Sequence, residues 1–280
     1  MTVGRTLIDV PGHVSASRSL VRLARTYRYL LVELAVRDVR DRFAGHVLGV
    51  VWTIAHPILL MGIYVGIFTF VFPARGLTAP GRTQDLTVYI LAGLIPWLCF
   101  QEVLARSTTA ITGNASLVKQ IVFPVELLPI KTVLGCLPTQ LVATAFLVGL
   151  ALLTGLGSPA LLLFPVVLVL QVAAMLGVAF ALSAVGAFVR DLRELVVVFC
   201  AVNLFLQPIL YAPAQLPRVL RPVLWLNPFS HLVWVAQDVF FFGAITHPVS
   251  WVVLTVGALV TLGLGYRLFR GLKHRFGDML

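Results

Sequence analysis

The sequence predicts an all-α integral membrane protein with six transmembrane helices, its two ends on the cytoplasmic side. Three observations carry that prediction. The chain is 59% hydrophobic and only 11% charged, against about a quarter charged in ordinary soluble domains. Its apolar residues gather into charge-free runs as long as, or longer than, the roughly 20 residues that cross a bilayer core. Its basic residues gather at one set of run ends: 17 of the 21 Lys and Arg fall on the side assigned to the cytoplasm, as the positive-inside rule demands.

Residues 1–28 are mostly polar and basic and show no signal peptide, and 1–17 read as a flexible cytoplasmic N-terminus. Over 18–45, Arg18, Arg22, Arg25 and Arg28 recur every three or four residues, opposite Leu20, Leu23, Tyr27, Leu30, Leu31 and Leu34. That pattern suits an amphipathic interfacial helix in the headgroup layer, or a cytosolic helix packed on a partner. Val47 to Phe72 follows, 26 residues without Lys, Arg, Asp or Glu, as the first span. The second, 86–108, carries Glu102 and Arg106 four residues apart, on one helical face where they can pair. From Thr132 to Val189 there are 58 uncharged residues, too many for one helix. Thr154-Gly155-Leu156-Gly157-Ser158-Pro159 divides them into spans 130–153 and 160–188. The fifth span is placed at 195–212 and the sixth at 248–269, followed by a cytoplasmic tail, 270–280. Between the last two spans, Ala212 to Pro248 is Pro-rich and aromatic. It reads either as two short re-entrant helices broken at Asn227-Pro228 or as an amphipathic loop on the outer surface. Irregular backbone at membrane depth is tolerated only when buried in protein or lining a cavity.

Several function classes are excluded. The chain contains no Gly-Lys dipeptide, so it holds no phosphate-binding G-x-x-x-x-G-K-[ST] loop. If ATP drives it, ATP and Mg are bound by another polypeptide, and no cofactor is expected in this chain. Cys99, Cys136 and Cys200 are too widely spaced for a zinc site or a disulfide framework, and the histidines are scattered. The net charge of +10 sits at span ends, where it meets anionic lipid rather than nucleic acid. Ionisable groups are nearly absent from span centres, which argues against an ion-coupled carrier. An integral membrane enzyme of envelope-lipid chemistry would need converging carboxylates or histidines, and none converge. A passive channel or scaffold would not explain the apolar cytoplasmic segment Asn114–Pro124, whose Leu117, Val118, Ile121 and Phe123 suit docking to a partner.

The motifs Arg37-Asp38 with Arg42-Phe43, Gly45, Leu48-Gly49, Trp52 and Pro57 stand together at the start of the first span. They are followed in order by Gly93-Leu94-Ile95-Pro96-Trp97, by Asn114, Leu117-Val118-Lys119 with Phe123-Pro124, and by Arg190-Asp191 with Gln207-Pro208-Ile209-Leu210-Tyr211. Leu226-Asn227-Pro228-Phe229 and the tail Phe269, Lys273, Phe276 and Asp278 complete the set. Taken together, and departing at His46 and His56, this resembles the transmembrane (permease) subunit of a type-two ABC exporter, in the branch that exports lipid-linked polysaccharide such as O-antigen. The resemblance spans nearly the whole chain, with 18–280 as the transmembrane domain. It implies a homodimer in the bacterial inner membrane, with two copies of a separate ATPase subunit and a glycan on undecaprenyl diphosphate as substrate, most naturally the O-antigen of lipopolysaccharide. Teichoic acid, capsule, drug or other lipid export is the alternative. Within that frame Asn114, Leu117, Val118, Lys119, Ile121, Phe123 and Pro124 are expected to dock the ATPase. Arg37, Arg40 and Arg42 are expected either to receive the lipid diphosphate or to pair structurally with Asp38 and Asp41. Trp52, His56, Trp97, Phe100 and Tyr211 are candidates for the translocation path, and Asn227, Pro228 and Phe229 for an outer gate.

Overall fold

A computed structural model describes residues 22–23, 25–42, 45–71, 77–79, 82–84, 86–119 and 123–279. The N-terminal segment 1–17, Arg18 at the start of the arginine stripe, Phe43 and Ile121 lie outside them. Apart from one small ribbon, the regular elements among the described residues are helices: α1 Arg28–Arg42, α2 Trp52–Gly66, α3 Leu86–Ser107, α4 Ala115–Val118, α5 Leu127–Leu153 and α6 Phe164–Gly186. Then come α7 Leu192–Phe205, α8 Arg221–Leu226, α9 Pro228–Gln237, α10 Pro248–Leu272 and α11 Phe276–Met279. A small antiparallel ribbon, Leu77–Ala79 paired with Arg82–Gln84 in register Thr78 to Thr83, joins α2 to α3.

Among the described residues five helices are long and apolar enough to cross a membrane: Gly49–Gly66, Leu86–Ser107, Leu127–Leu153, Pro159–Gly186 and Pro248–Arg275. The chain is a multi-pass membrane protein. The span expected at 195–212 departs from its reading. It is helical only over the 14 residues of α7, about 21 Å at 1.5 Å per residue, short of the ~30 Å hydrocarbon core. The reason is local. Pro208 has no N–H to continue the ladder, and the Gln207 amide turns back to donate to the Asn203 carbonyl at 3.1 Å.

Glycines set how the long helices meet. At Gly177 of α6 and Gly265 of α10 the two backbones touch, so that a Cβ on Gly265 would collide with the Gly177 carbonyl and one on Gly177 with the backbone of Thr261 and Leu262. Small residues permit this approach where apolar burial does not distinguish helix from lipid. Beyond it Phe180 packs on Tyr266 and Phe269, with ring centroids 5.2 and 5.3 Å apart. As the chain advances from Gly177 to Phe180, its partners advance from Thr261 to Phe269, so α6 and α10 run parallel. The same argument makes α3 parallel to α6: Gln171 donates to the Pro96 carbonyl at 3.1 Å and Ser183 to the Ser107 carbonyl at 3.0 Å.

At the α1 end a second apolar cluster forms from Leu31, Ile111, Val125, Leu127, Phe180, Phe269 and Phe276. It ties α1 and the tail to the bundle. Lys273 Nζ is 2.7 Å from Glu126 Oε1, so the tail is packed rather than loose. Between α1 and α2, Gly45 (φ +82°) and Gly49 (φ +48°) take left-handed conformations, which explain glycine at both positions.

Replacing Gly265 with Val is expected to lower stability by at least about 3 kcal/mol, the upper end of ordinary overpacking, because backbone rather than a movable side chain lies opposite. Gly257→Ala, with nothing within 4 Å of its added Cβ, is expected to be neutral or slightly stabilising. Thermal melts of the detergent-solubilised protein check both.

Candidate functional site

Two regions concentrate the polar groups that a charge-free bundle would otherwise exclude. At the α1 end five charged side chains from three helices interlock. The Asp38 carboxylate of α1 accepts a short charge-assisted bond from Arg106 of α3 and lies 4.0 Å from Lys131 of α5. Glu102 of α3 is 2.8 Å from Arg42 and 3.5 Å from Arg106, the latter being the i,i+4 pair that the sequence suggests. Arg42 also donates to the Gly135 carbonyl at 3.0 Å. A Cβ at position 135 would lie 2.5 Å from Asp38 Oδ2, so glycine there is what admits the carboxylate. Lys131 further donates to Asn114 Oδ1 at 2.9 Å, and Asn114 donates to the Ala110 carbonyl at 2.9 Å. The segment expected to dock a partner is thereby tied to the same clasp.

This geometry divides the three arginines expected to receive a diphosphate. Arg42 is half-buried and pairs with Glu102 and the Gly135 carbonyl rather than with Asp38 or Asp41. Arg37 pairs with Asp41 at 3.5 Å on the surface. Arg40 is exposed. The candidate docking segment divides in the same way. Leu117, Val118 and Phe123 are half-buried and pack on the chain's own second cluster, because the cluster around Ile111 and Leu127 lies directly beneath them. Thr112, Gly113, Ser116 and Lys119 are the residues facing outward.

Above the clasp, α2, α3 and α5 enclose a cleft of about 190 Å³ lined by His56, Met61, Cys99, Glu102 and Gln140 among others. Of the candidate path residues His56 lines it, and Trp52, Trp97, Phe100 and Tyr211 do not. His56 is exposed on α2 and Trp52 half-buried, whereas Trp97 and Phe100 are buried within the core. Tyr211 lies in the loop after α7, its hydroxyl donating to the Phe205 carbonyl at 2.6 Å.

The second region is the segment between α7 and α10. The chain does break at Asn227-Pro228: Asn227 has extended backbone and its Oδ1 caps α9 by accepting from Phe229 N at 3.1 Å. Its Nδ2 donates to Asn203 Oδ1 at 2.8 Å and to the Leu206 carbonyl at 3.0 Å, closing the frayed end of α7. Phe229 packs edge-on against Trp97 and Phe100 at 5.4 and 5.1 Å and against Phe199 at 5.8 Å. Those partners sit near the middle of α3 and α7, and α9 from Ser230 to Gln237 is entirely buried. The broken-helix reading therefore holds, and a loop lying on the surface does not describe α9. Going from Phe229 to Gln237, contacts shift from Trp97 back to Gly93 and Tyr89, so α9 runs antiparallel to α3 and returns toward the far end. There Asp238 is buried and accepts bonds from the Thr246 hydroxyl, the His247 N–H at 3.0 Å and the Trp251 indole at 3.0 Å, with His247 Nδ1 2.8 Å away. These donors satisfy the buried Asp238 carboxylate.

Sequence reasoning missed the buried amides. Gln140 and Gln171 exchange hydrogen bonds at 2.8 and 3.2 Å at mid-depth, and Gln237 donates to the Pro208 carbonyl at 2.8 Å. Their signal was available: an amide inside a charge-free run needs a partner.

Asp38→Asn is expected to leave Arg106 and Lys131 undercompensated and to cost about 1.5–3 kcal/mol, the range for hydrogen bonds to charged groups. Arg37→Gln, which removes an exposed pair, is expected to change stability by less than about 1 kcal/mol. Side-by-side denaturation of the two variants checks the contrast.

Comparison with known proteins agrees with this architecture. The family model for ABC-2 type transporter membrane proteins matches residues 29–241. The chain is 26% identical over 257 residues to an O-antigen export system permease protein RfbA of Klebsiella pneumoniae, covering 90% of this chain and 95% of that one. It is 26% identical over 264 residues to the RfbA permease of Myxococcus xanthus, covering 93% and 99%. It is 27% identical over 243 residues to the polysialic acid transport protein KpsM of Escherichia coli, covering 85% and 91%. With the matched region spanning most of its length, including the clasp and the broken helices, the chain belongs to the ABC-2 type transporter family.

Proposed function

We propose that this chain is the permease subunit of an ATP-driven exporter that carries lipid-linked polysaccharide, most naturally O-antigen on undecaprenyl diphosphate, across a bacterial inner membrane. The observation that carries the proposal is full-length similarity to permeases named for O-antigen and polysialic acid transport. The lack of a phosphate loop in the sequence assigns ATP hydrolysis to a second polypeptide. Export of another polysaccharide, such as capsule, is the second reading, favoured by similarity to the polysialic acid transport protein KpsM.

Six crossings with both ends in the cytoplasm are part of the proposal. Its support is that α6 and α10 run parallel, so the chain between them must recross. Here α7 covers the half nearer the α1 end, and the segment through α9 fills the rest. The charge bias puts the α1 end in the cytoplasm. Two copies pair through the exposed apolar faces of α2 (Ile54, Ile58, Ile63) and α7 (Leu195, Val198, Val202), and an ATPase binds beneath each copy on the outward face of the α4 region. Arg40, exposed beside Arg37, offers a guanidinium fork to the carrier diphosphate. Asn227, Pro228 and Phe229 close the path at mid-depth, and the core aromatics Trp97 and Phe100 support that closure rather than lining an open channel.

Inactivating the gene in its host is expected to remove long-chain polysaccharide from the cell surface while lipid-linked glycan accumulates inside. Surface glycan unchanged in the mutant would overturn the function. Ser116→Glu combined with Lys119→Glu is expected to weaken ATPase co-purification about tenfold, equivalent to ~1.4 kcal/mol, with the melting temperature unchanged. Equal recovery of the ATPase would place the docking face elsewhere.

A further inference from the structure

Toward the far end of the molecule, Arg218, Arg221, Pro222, Trp225 and Leu226 line a shallow groove of about 580 Å³. Their spacing of three, four, seven and eight residues from Arg218 puts them on one stripe running into α8. We propose that this groove is a binding site for an acidic sugar, a pyranose carrying a carboxylate or phosphate. It rests on the reading of the chain as a glycan exporter and deepens it by assigning a substrate chemistry to a specific place.

Each element of such a site is present and held in position. Trp225 is 49% exposed, leaving indole surface free. Its other surroundings are fixed: the ring centroid lies 4.5 Å from that of buried Trp234 and 6.0 Å from that of His231. Its carbonyl is 3.0 Å from His231 Nε2, whose Nδ1 is 3.0 Å from Ser250 Oγ. An indole held this way is a ready platform for the apolar C–H face of a pyranose ring, with little side-chain freedom left to lose on binding. Arg221 is likewise pre-set, donating through Nε to the Leu216 carbonyl and through Nη2 to the Ala214 carbonyl, both at 3.2 Å. Arg218, also exposed, stands one helical turn before it. Guanidinium groups recognise carboxylate and phosphate with two parallel bonds. No Asp or Glu lies between Arg193–Glu194 and Asp238 in the sequence to neutralise them, and Asp238 is committed to Thr246, His247 and Trp251.

An anionic lipid headgroup shares the anionic half of this chemistry but not the stacking half. A headgroup phosphate would use the arginines and leave the indole face unused, so dependence on Trp225 separates the two.

The test uses the full chain in phosphatidylcholine nanodiscs, titrated calorimetrically with tetragalacturonate and, as the neutral control, maltotetraose. The proposal expects the acidic tetrasaccharide to bind at least about tenfold more tightly than the neutral one. It expects Arg218→Gln to remove most of that preference, and Trp225→Leu to weaken both sugars. Arg218 is exposed, so Arg218→Gln is expected to melt with the parent protein and remains informative even if Trp225→Leu fails to fold. Equal affinity for the two sugars, no binding of either, or an unchanged preference in Arg218→Gln overturns the proposal. Retained tetragalacturonate binding in a folded Trp225→Leu, combined with competition from nanodiscs containing phosphatidylglycerol, overturns it in favour of a lipid headgroup. These outcomes are read on isolated protein, whereas failure of the exporter reading is read from surface glycan in the host, so either can fail alone.

Discussion

The backbone contact between α6 and α10 at Gly177 and Gly265 is the constraint on which the remaining architecture depends. Two parallel long helices in contact oblige the intervening 187–247 segment to travel from one end of the bundle to the other. A single straight helix would do this with about 20 residues. This chain uses a helix of 14 residues, α7, and completes the distance with a loop and the broken pair α8–α9. The consequence is unpaired backbone in the interior, which is expensive away from water. The placement of the buried amides follows from that cost. Asn227 closes the end of α7 through the Leu206 carbonyl, Gln237 takes the Pro208 carbonyl, and Gln171 takes the Pro96 carbonyl. In each case a side-chain amide meets a carbonyl at, or one or two residues from, a proline or a helix break. Polar residues in this core are therefore stitches across irregular backbone rather than an ion pathway.

The two ends of the bundle are built on different physics. At the α1 end, three cations and two carboxylates interlock half-buried among α1, α3 and α5. Removing any one member leaves its partners exposed to a low-dielectric environment. At the far end, one buried carboxylate, Asp238, collects neutral donors and a histidine. The first arrangement joins separate helices. The second fixes a tight reversal within one stretch of chain, from the end of α9 through the left-handed Gly243 (φ +68°) into α10.

How much of this was legible follows from the range of each signal. Span boundaries read correctly to within a few residues for α3, α5, α6 and α10, because charge and hydropathy are local properties. The break at Asn227-Pro228 was legible for the same reason: Asn caps and Pro begins helices. The shortness of α7 was not, since Leu206 to Ala212 is apolar enough to extend a hydropathy window although Gln207 and Pro208 end the helix. That Arg42, Leu117, Val118 and Phe123 also pack within the chain was not legible, because an exposed and a packed residue look alike in sequence when the partner is remote. Arg42 meets Glu102 and Gly135, 60 and 93 residues away in number, and Leu117 meets a cluster drawn from five helices. The pairing of Glu102 with Arg106 was visible because it is four residues long.

The distribution of burial completes the mechanical picture. The span in α3 is 78% buried, whereas the one containing α2 is 17% buried. A helix that shares most of its surface with neighbours cannot move without repacking the core. One that shares little is held mainly by its ends, and α2 is anchored at its α1 end through the Gly45–Gly49 linker and the Arg42–Glu102 pair. The chain thus combines a deeply embedded helix, α3, and the backbone-to-backbone pair α6 and α10 with two less embedded helices, α2 and α7, each ending in irregular backbone. A transporter must change shape somewhere, and the elements with the fewest contacts to break are the ones where that change costs least. Both lie next to the features that carry the functional argument: α2 beside the charged clasp and its cleft, α7 beside the Asn227–Phe229 closure.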